Sequence, residues 1–392
     1  MRIGARARLL IGLALLCLAA LALPGRATAA APSQFTLTPS TNGAPGTGLT
    51  GKNQGFSVES ADLANGSLNA PLLTNWLRTL GPHGLIRVGG FSVDDIWPAF
   101  GSAQNTPAPA QAVGGTVNQA DLDSLKQLLD ATGWKATVAV PLKSVINTDS
   151  SSLTVPFDQA VAYAVAVKKT LGSHLQAVEV GNESNLVTSL TPDQYHAWMV
   201  KYYDAINAAD AGSHVQVVGP SATKTTSTYV PGMVSALQAD TSVNPREMMA
   251  NFTSHNYESA RCGLDAPGLL SANTYANRQS VLQNYVAAVG GLNDGMPAVL
   301  NETNSEAQSG CAGVSNTYAS ALWSLDYQLQ AAQDGVQSMN FHTSTAQVCG
   351  NFQTSPTGYT TSYRWYAAFC APDQSALNAD QLSAAPLYYG IW

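Results

Sequence analysis

The fold is decided by one stretch near the middle of the chain, Val178-Glu179-Val180-Gly181-Asn182-Glu183-Ser184-Asn185. An apolar run that begins at Leu175 stops abruptly in this stretch, at Gly181. A strand of a parallel sheet is buried on both faces and therefore reads as a near-continuous apolar run. Functional side chains of parallel barrels lie at the carboxyl ends of such strands. The stretch therefore predicts a buried strand that presents Glu183 at its tip.

A second apolar run, residues 297–301, ends in the same way, at Asn301-Glu302. The two glutamates lie 119 positions apart (302 − 183), which fits three consecutive strand–helix units. Glu183 and Glu302 are therefore predicted at the ends of the fourth and seventh strands of one barrel.

Apolar runs and helix-like segments alternate along the rest of the chain, which predicts a (β/α)8 TIM barrel. The predicted strands are 55–58, 85–88, 135–140, 175–180, 215–218, 251–255, 298–301 and 338–342. The predicted helices are 71–80, 120–132, 156–171, 192–210, 229–239, 274–289 and 317–334. An open doubly wound sheet is the alternative, but no G-x-G-x-x-G follows the first strand and no Walker motif occurs.

The first 30 residues are predicted to be a secretory signal peptide. Three arginines within the first eight residues precede the apolar run 9–23, and Ala27-Thr28-Ala29 forms a small-x-small cleavage site. Residues 31–54 are expected to form an N-terminal segment with one lone strand at 34–38, and residues 55–392 the catalytic barrel. No later apolar run approaches the ~20 residues of a membrane-spanning helix, so a secreted, extracellular product without a membrane partner is expected.

Charge and cysteine content narrow the choice of partners. The predicted signal peptide holds four of the 18 Lys and Arg and none of the 25 Asp and Glu, leaving a net charge of about −11. This balance argues against nucleic acid and anionic membranes as partners. Four cysteines remain, an even number that favours disulfides in an exported chain. No C-x-x-C or H-x-x-x-H spacing is present, so neither a metal nor an organic cofactor is expected.

Two carboxylates at one barrel mouth suit glycoside hydrolysis. A retaining enzyme uses one carboxyl as acid/base and another, about 5–5.5 Å away, as nucleophile. Mutual repulsion and partial burial raise the pKa of one member of such a pair, so that it holds the proton. Asn182, beside Glu183, offers an amide that can bind a sugar hydroxyl. Either glutamate alone would more often be an ordinary surface residue, whereas the pair, at matched ends of apolar runs, favours catalysis.

Other strand ends supply supporting candidates. Arg87 lies within an apolar strand and needs a carboxylate partner, either the nucleophile or, structurally, Asp94 or Asp95. Tyr257 follows the sixth strand and is expected to donate a hydrogen bond to the nucleophile. His342 closes the eighth strand and is expected to line the pocket floor.

Several further residues have weaker claims. His255 is interpreted as a hydrogen-bonded core histidine, and Trp97 as a candidate for stacking on a sugar. Glu179 is expected mid-strand, without an exposed tip, whereas Glu258 and Glu306 are expected in loops, with Glu306 a possible substrate contact. A serine-hydrolase mechanism is disfavoured because no G-x-S-x-G motif occurs.

Several of these motifs, in order, resemble glycoside hydrolase family 79, which contains β-glucuronidases and heparanase-like enzymes. The resemblance runs from about residue 55 to residue 392 and rests on Arg87-Val88-Gly89-Gly90, Val180-Gly181-Asn182-Glu183, Glu302-Thr303-Asn304-Ser305, Gly313-Val314-Ser315, residues 319–327, Gly335-Val336, Asn340-Phe341-His342 and residues 386–390. It implies a retaining mechanism on a (β/α)8 barrel. By this resemblance Glu183 is the acid/base and Glu302 the nucleophile, with Arg87, Asn182 and Tyr257 in support.

The chain also departs from the family pattern. Phe91-Ser92 follows the second-strand glycines in place of Asn-Ser, and Thr343-Ser344 follows the eighth-strand histidine in place of Gly-Gly. The latter loop helps to recognise the uronate carboxylate in the family. The family's usual C-terminal β-sandwich is expected to be missing or truncated, which predicts a stability problem for the chain as written.

Disulfides are expected between Cys262 and Cys311, in neighbouring loops, and between Cys349 and Cys370, in one region. The sequence thus favours a secreted retaining β-glycosidase, a β-glucuronidase first, acting on a carbohydrate substrate. A β-glycosidase for a neutral sugar and a non-catalytic carbohydrate-binding barrel are the alternatives.

Overall fold

Eight parallel strands form a closed barrel in this computed structural model, which describes residues 54–212, 214–345, 347–349, 353–354, 360–361 and 364–392. The barrel strands are β1 Gln54–Glu59, β2 Leu85–Gly89, β3 Lys135–Val140, β4 Leu175–Val180, β5 Val217–Ala222, β6 Met249–Ser259, β7 Ala298–Glu306 and β8 Ser338–His342. Each strand pairs in parallel with its neighbours in sequence, and β8 closes the barrel by pairing with β1. The (β/α)8 prediction is confirmed. The predicted signal peptide and the lone strand at 34–38 lie outside the described residues.

A helix follows each barrel strand and packs on the outside. The eight helices are α1 Ala70–Thr79, α2 Gln119–Thr132, α3 Phe157–Leu171, α4 Pro192–Ala209, α5 Tyr229–Ala239, α6 Ala272–Gly290, α7 Tyr318–Gln333 and α8 Pro386–Ile391. Local sequence sets several of their ends. Thr191 and Gln194 form a capping box at the start of α4, while Gly133, with φ 75°, ends α2 in the left-handed conformation.

Apolar runs form the central strands because both of their faces are covered. Val138 on β3 and Val178 on β4 are fully buried between the barrel interior and the outer helices. Burying a side chain of this size stabilises the fold by roughly 1.5–3 kcal/mol. The runs identified in the sequence therefore match the strands that carry the core.

Three predicted strands have bounds that differ from the structure by more than one residue. The fifth begins and ends later, at Val217–Ala222, and the sixth extends in both directions, to Met249–Ser259. The seventh continues past its apolar run to Glu306, through polar residues that are nonetheless buried. Apolar pattern alone misses such extensions because polar side chains at a barrel mouth are satisfied by one another.

Short elements decorate the mouth and the connections. They include the helices Ser60–Ala64, Lys143–Ile146, Ser184–Val187, Pro245–Met248, Ala266–Leu269 and Gln374–Asn378, the 3-10 turns Phe91–Asp94, Gly101–Ala103 and Gly172–His174, and the paired strands Ile96–Pro98 with Gly115–Val117, Gln353–Thr354 with Thr360–Thr361, and Phe369–Cys370 with Ser383–Ala384.

Both predicted disulfides are present. Cys262–Cys311 joins the segments after β6 and β7, and Cys349–Cys370 closes part of the long connection between β8 and α8. In the described part of the chain no helix combines the length and apolar character needed to cross a bilayer.

Candidate active site

A cleft of about 990 Å3 opens at the carboxyl ends of the barrel strands. Glu183, Tyr257, Glu302 and His342 line it. Arg87 and Asn182 lie beneath this lining, buried from solvent. The structure thus brings all six predicted site residues to one end of the barrel.

Glu183 is held in an unusual backbone conformation just after β4. Its φ of 44° lies in the left-handed region, which is uncommon for a residue with a side chain. The Glu183 N–H donates to the Ser221 carbonyl of β5 at 3.1 Å, which anchors the turn. This conformation directs the carboxylate into the cleft, where one oxygen lies 2.8 Å from His255 Nδ1. Such local strain is characteristic of functional sites.

Glu302 lies within β7 and is surrounded by donors. Arg87 Nη1 donates to Oε2 at 2.8 Å, and the Tyr257 hydroxyl donates to Oε1 at 2.7 Å. Burial raises the pKa of Glu302, but the charges of His342, His255 and Arg87 and the Tyr257 hydrogen bond outweigh it and hold the pKa well below its usual range. Burial lowers the pKa of His342 below its usual value, so its contribution as a cation is the first to be lost as pH rises. The permanent charge of Arg87 is therefore the steadiest reason for Glu302 to stay ionised.

The two glutamates face each other with His255 between them. One oxygen of Glu183, one of Glu302 and a His255 ring nitrogen all lie within 4.8 Å of one another. Burial lowers the pKa of His255, but Glu302 and Glu183 outweigh it and raise the pKa above its usual value, favouring the imidazolium. The ring nitrogen thus lies 2.8 Å from Glu183 and 3.9 Å from Glu302.

A metal ion fits this triad poorly despite its ligand types. Both oxygens of Glu302 already accept hydrogen bonds, one of them from the permanently charged Arg87. A metal cation at this position would lie close to the positively charged guanidinium of Arg87, and both oxygens of Glu302 are already hydrogen-bonded. The other cluster with ligand-type groups, Cys262, Glu306 and Cys311, contains a disulfide. These groups are better suited to chemistry in which the two carboxylates themselves transfer a proton and form a bond to the substrate.

Arg87 organises the residues under the cleft. Its five N–H groups all have acceptors: two on Glu179 and one each on Asn182 Oδ1, Ser57 Oγ and Glu302 Oε2. The alternative pairing with Asp94 or Asp95 is wrong. Asp94 instead accepts the backbone N–H groups of residues 142 and 144. Arg87 therefore ties β1, β4 and β7 together at the base of the site.

Asn182 is oriented by Arg87 as well. Its Oδ1 accepts from Arg87 Nη2 at 2.7 Å, which turns its Nδ2 away. Within the described part of the chain, this buried Nδ2 has no acceptor. A buried donor without an acceptor costs free energy, so an acceptor that reached this Nδ2 would be stabilising.

The pair Gly89-Gly90 makes room for two charged side chains. A Cβ at Gly89 would lie 2.6 Å from the Arg87 guanidinium, and one at Gly90 would lie 2.3 Å from the Glu59 carboxylate. Gly90 also has φ 70°, which favours glycine. These glycines are therefore required by the site and do more than form a tight turn.

Glu59, at the end of β1, was not anticipated. Its Oε2 accepts from Ser92 N and Ser92 Oγ, and its Oε1 accepts from Arg364 Nη2 at 2.9 Å. Burial raises the pKa of Glu59, but His342, Arg364 and Ser92 outweigh it and bring the pKa to about 2. His342 lies between the two carboxylates, 3.5 Å from Glu59 and 3.9 Å from Glu302. An ionised second acid thus lines the cleft beside the predicted nucleophile.

Three expectations from the sequence need correction. Glu258 and Glu306 lie in strands β6 and β7, whereas loops were expected. Glu306 is fully buried and accepts the N–H groups of Cys262 and Leu264, so it anchors the segment after β6. Trp97 is buried and does not line the cleft, because its ring packs into the core.

Residues that the sequence reasoning missed fall into two groups. Glu59 ends an apolar run, as Glu183 does, and that same signal was available for it. His255, expected as a hydrogen-bonded core histidine, is fully buried and hydrogen-bonded to Glu183, and only its place beside the two glutamates was missed. It precedes Tyr257 by two on the same strand, which places both side chains on one face. Arg364 lies inside the long connection after β8, where no periodicity marks it. Tertiary structure alone brings Arg364 to the cleft.

The fold and the site together show a (β/α)8 barrel with two facing glutamates at its carboxyl mouth, an arrangement that glycoside hydrolases also have. Solved structures share the barrel at low sequence identity. A 4-O-α-L-rhamnosyl-β-D-glucuronidase from Fusarium oxysporum 12S matches with a TM-score of 0.61 and 22% identity, over 90% of this chain and 70% of that chain. A GH39 enzyme from Xanthomonas axonopodis pv. citri matches with a TM-score of 0.58 and 16% identity, over 87% of this chain and 65% of that chain. These similarities establish the fold.

The sequence relatives are more particular: curated fungal proteins named β-glucuronidase. One from Aspergillus niger is 26% identical over 201 residues, which are 45% of this chain and 36% of the relative. One from Neurospora crassa is 32% identical over 103 residues, which are 24% of this chain and 18% of the relative. The chain therefore spans about a third or less of these relatives' lengths. The resemblance to β-glucuronidases is confirmed, while no protein-family model matches the chain.

Proposed function

We propose that this chain is an exported, retaining β-glycosidase that acts on β-glucuronides. One observation carries the mechanism: oxygens of Glu183 and Glu302 lie within 4.8 Å of each other at the barrel mouth. Retaining enzymes place their carboxyl groups about 5–5.5 Å apart, whereas inverting enzymes need roughly 6.5–9.5 Å to admit a water molecule. The short separation favours direct attack by one carboxylate.

The surroundings of the two glutamates assign their roles. Arg87 and Tyr257 hold Glu302 ionised and oriented, as a nucleophile requires. Burial raises the pKa of Tyr257, so its hydroxyl stays a donor. Glu183 carries a different contact, to the His255 ring, whose nitrogens can hold or release a proton. Glu183 is therefore the group suited to carry a proton to and from the glycosidic oxygen.

The reaction then proceeds in two displacements. Glu302 Oε attacks the anomeric carbon and forms a glycosyl ester while Glu183 gives its proton to the departing oxygen, breaking the glycosidic bond. Water next attacks the anomeric carbon, Glu183 takes the water proton, and the ester bond to Glu302 breaks. Asn182 Nδ2, which has no acceptor among the described residues, is the candidate donor to a sugar hydroxyl during both steps.

Glucuronide specificity is supported by the fungal sequence relatives named β-glucuronidase. The cleft of about 990 Å3 is at the upper end of ligand pockets, which supports a substrate larger than one sugar. A neutral sugar is the second candidate, because Thr343-Ser344 follows His342. Export is supported by the basic and apolar amino-terminal segment and by two disulfides.

The test is an assay with aryl β-glucuronide and aryl β-glucoside, scoring the anomer first released by NMR. Retention is expected, and an inverted first product would refute the mechanism. Glu302→Gln is expected to reduce turnover to background. Glu183→Gln is expected to lose about 10²–10⁴-fold with a poor leaving group and much less with a nitrophenol, which needs little protonation. Glu247→Gln, exposed at the opposite end of β6, is the matched control. A binding-only barrel would bind sugar without turnover.

A further inference from the structure

One buried guanidinium in the lining of the cleft, that of Arg364, has incomplete hydrogen bonding among the described residues. Arg364 lines the cleft with 11% of its side chain exposed. Its Nη2 donates to Glu59 Oε1 at 2.9 Å and its Nη1 to the Tyr366 hydroxyl at 3.1 Å. Its Nε is buried and, within the described residues, has no acceptor. Arg364 thus differs from Arg87, whose five N–H groups are all satisfied.

An unsatisfied buried donor on a charged group is costly in free energy. Such a group in a ligand cleft indicates that a ligand supplies the missing acceptor. Guanidinium prefers a carboxylate, which accepts from two parallel N–H groups. Arg364 still offers Nε–H and one further N–H on each terminal nitrogen. It therefore has the donors for a carboxylate even while Glu59 is bound.

The surrounding contacts fix Arg364 in place before any ligand binds. Gln347 holds its backbone on both sides, accepting from the Arg364 N–H at 3.2 Å and donating to the Arg364 carbonyl at 3.3 Å. Glu59 is held in turn by Ser92. Glu59 is therefore a positioning residue, and its bond takes one N–H of Nη2, so that the Nε–H, for which no acceptor lies among the described residues, stays available.

Arg364 also lies on the same side of the cleft as Glu302. A continuous series of side chains runs through Glu302, His342, Glu59 and Arg364. Between each pair of neighbours in this series a nitrogen and an oxygen lie within 4 Å of each other. The carboxylate of a uronic acid is attached to the ring carbon beyond the ring oxygen, close to the anomeric carbon that Glu302 attacks. The other cations among the described lining residues are Lys224, Arg261 and Arg278. They lie after β5, after β6 and on α6, on the other side of the cleft, and Arg278 is paired with Glu258.

We propose that Arg364 is the specificity-determining residue of this site and binds the carboxylate of a uronic acid sugar next to Glu302. This inference rests on the proposed glycosidase function and deepens it. It also explains how a uronate is recognised although Thr343-Ser344 replaces the glycine pair after β8. Thr343 is buried, and its hydroxyl is engaged by the Ala368 N–H. In this proposal Arg364, further along the same connection, binds the uronate carboxylate in place of the residues at the start of that loop.

The test compares two substrates that differ only in carboxylate against hydroxymethyl, an aryl β-glucuronide and the matching β-glucoside. Arg364→Gln is expected to lower kcat/KM for the glucuronide by roughly 10- to 150-fold, the value of a hydrogen bond to a charged group, with less than about threefold change for the glucoside. Because Arg364→Gln leaves Glu59 buried and unpaired, the double variant Glu59→Gln/Arg364→Gln guards against misfolding and is expected to show the same change in substrate ratio. Arg246→Gln, at the opposite end of β6, is the control.

Equal losses on both substrates in the folded double variant would overturn the proposal, as would a wild-type preference for the glucoside. The latter result would leave a neutral-sugar glycosidase intact. Binding decides the matter independently of turnover. D-glucuronate is expected to bind the wild type at least about tenfold more tightly than it binds the double variant in calorimetry, with no such difference for D-glucose. If D-glucuronate binds the wild type and the double variant equally well, Arg364 does not bind the carboxylate. If the difference in affinity is present but the protein shows no turnover, only the enzymatic function is refuted.

Discussion

Arg87 offers a test that separates the stability of the site from its chemistry. Its guanidinium is fully buried and neutralises two buried carboxylates, Glu179 and Glu302. Removing one partner of a buried ion pair costs about 3–5 kcal/mol, because it leaves an uncompensated charge in a poorly polarisable interior. A typical domain is stable by only about 5–15 kcal/mol. Arg87→Met is therefore expected to remove a large part of the stability.

A second substitution restores the charge balance. The double variant Arg87→Met/Glu179→Gln removes both the cation and the carboxylate that accepts two of its hydrogen bonds. The introduced glutamine can still accept from Asn301, as Glu179 does at 3.1 Å. This double variant is expected to recover at least about 2 kcal/mol relative to Arg87→Met. Its activity is not expected to recover, because Glu302 still lacks the Arg87 hydrogen bond. The kcat/KM should stay roughly 10- to 150-fold below wild type.

Urea denaturation and aryl-glycoside kinetics on the same preparations measure both quantities. Arg78→Met on α1, an exposed arginine, is the control and is expected to change stability by less than about 0.5 kcal/mol. If Arg87→Met unfolds at the wild-type urea concentration, the buried-charge reasoning is wrong. If the double variant regains activity together with stability, Arg87 acts only structurally.

Two further predictions concern groups around the cleft. Burial raises the pKa of Asp62 from 3.8 to about 7, so the folded chain keeps a proton that the unfolded chain loses in this window, and stability falls as pH rises through it. Asp62→Asn should flatten that fall and add up to about 4 kcal/mol at pH 7 in denaturation curves; an unchanged pH profile would contradict this. Tyr327 bridges β6 and β7 by hydrogen bonds to Asn256 and Thr303, which neighbour Tyr257 and Glu302. Tyr327→Phe removes the hydroxyl and with it these hydrogen bonds; kcat should fall about tenfold, which corresponds to about 1.4 kcal/mol, with KM changed less than about threefold. A shift in KM alone would refute a positioning role.

The sequence predicted the barrel because hydrophobic periodicity is a local property. Runs such as residues 135–140 and 175–180 must be buried on both faces wherever they lie, so their order and spacing are legible in one dimension. The ends of these runs also identified Glu183 and Glu302. The limits of the sixth and seventh strands were not legible, since their polar extensions are stable only when paired across the closed barrel.

The Gly181-Asn182-Glu183 turn illustrates the division between the two levels. The sequence by itself determined that a strand ends there with an acid at its tip, opposite a second acid on the seventh strand. Only tertiary structure decided which buried charges pair: Arg87 with Glu179 and Glu302, and Arg364 with Glu59. The physical reason is that a buried ion pair depends on where distant strands and a long connection meet. Hydrophobic burial selects residue types along the chain, whereas electrostatic pairing selects positions in space.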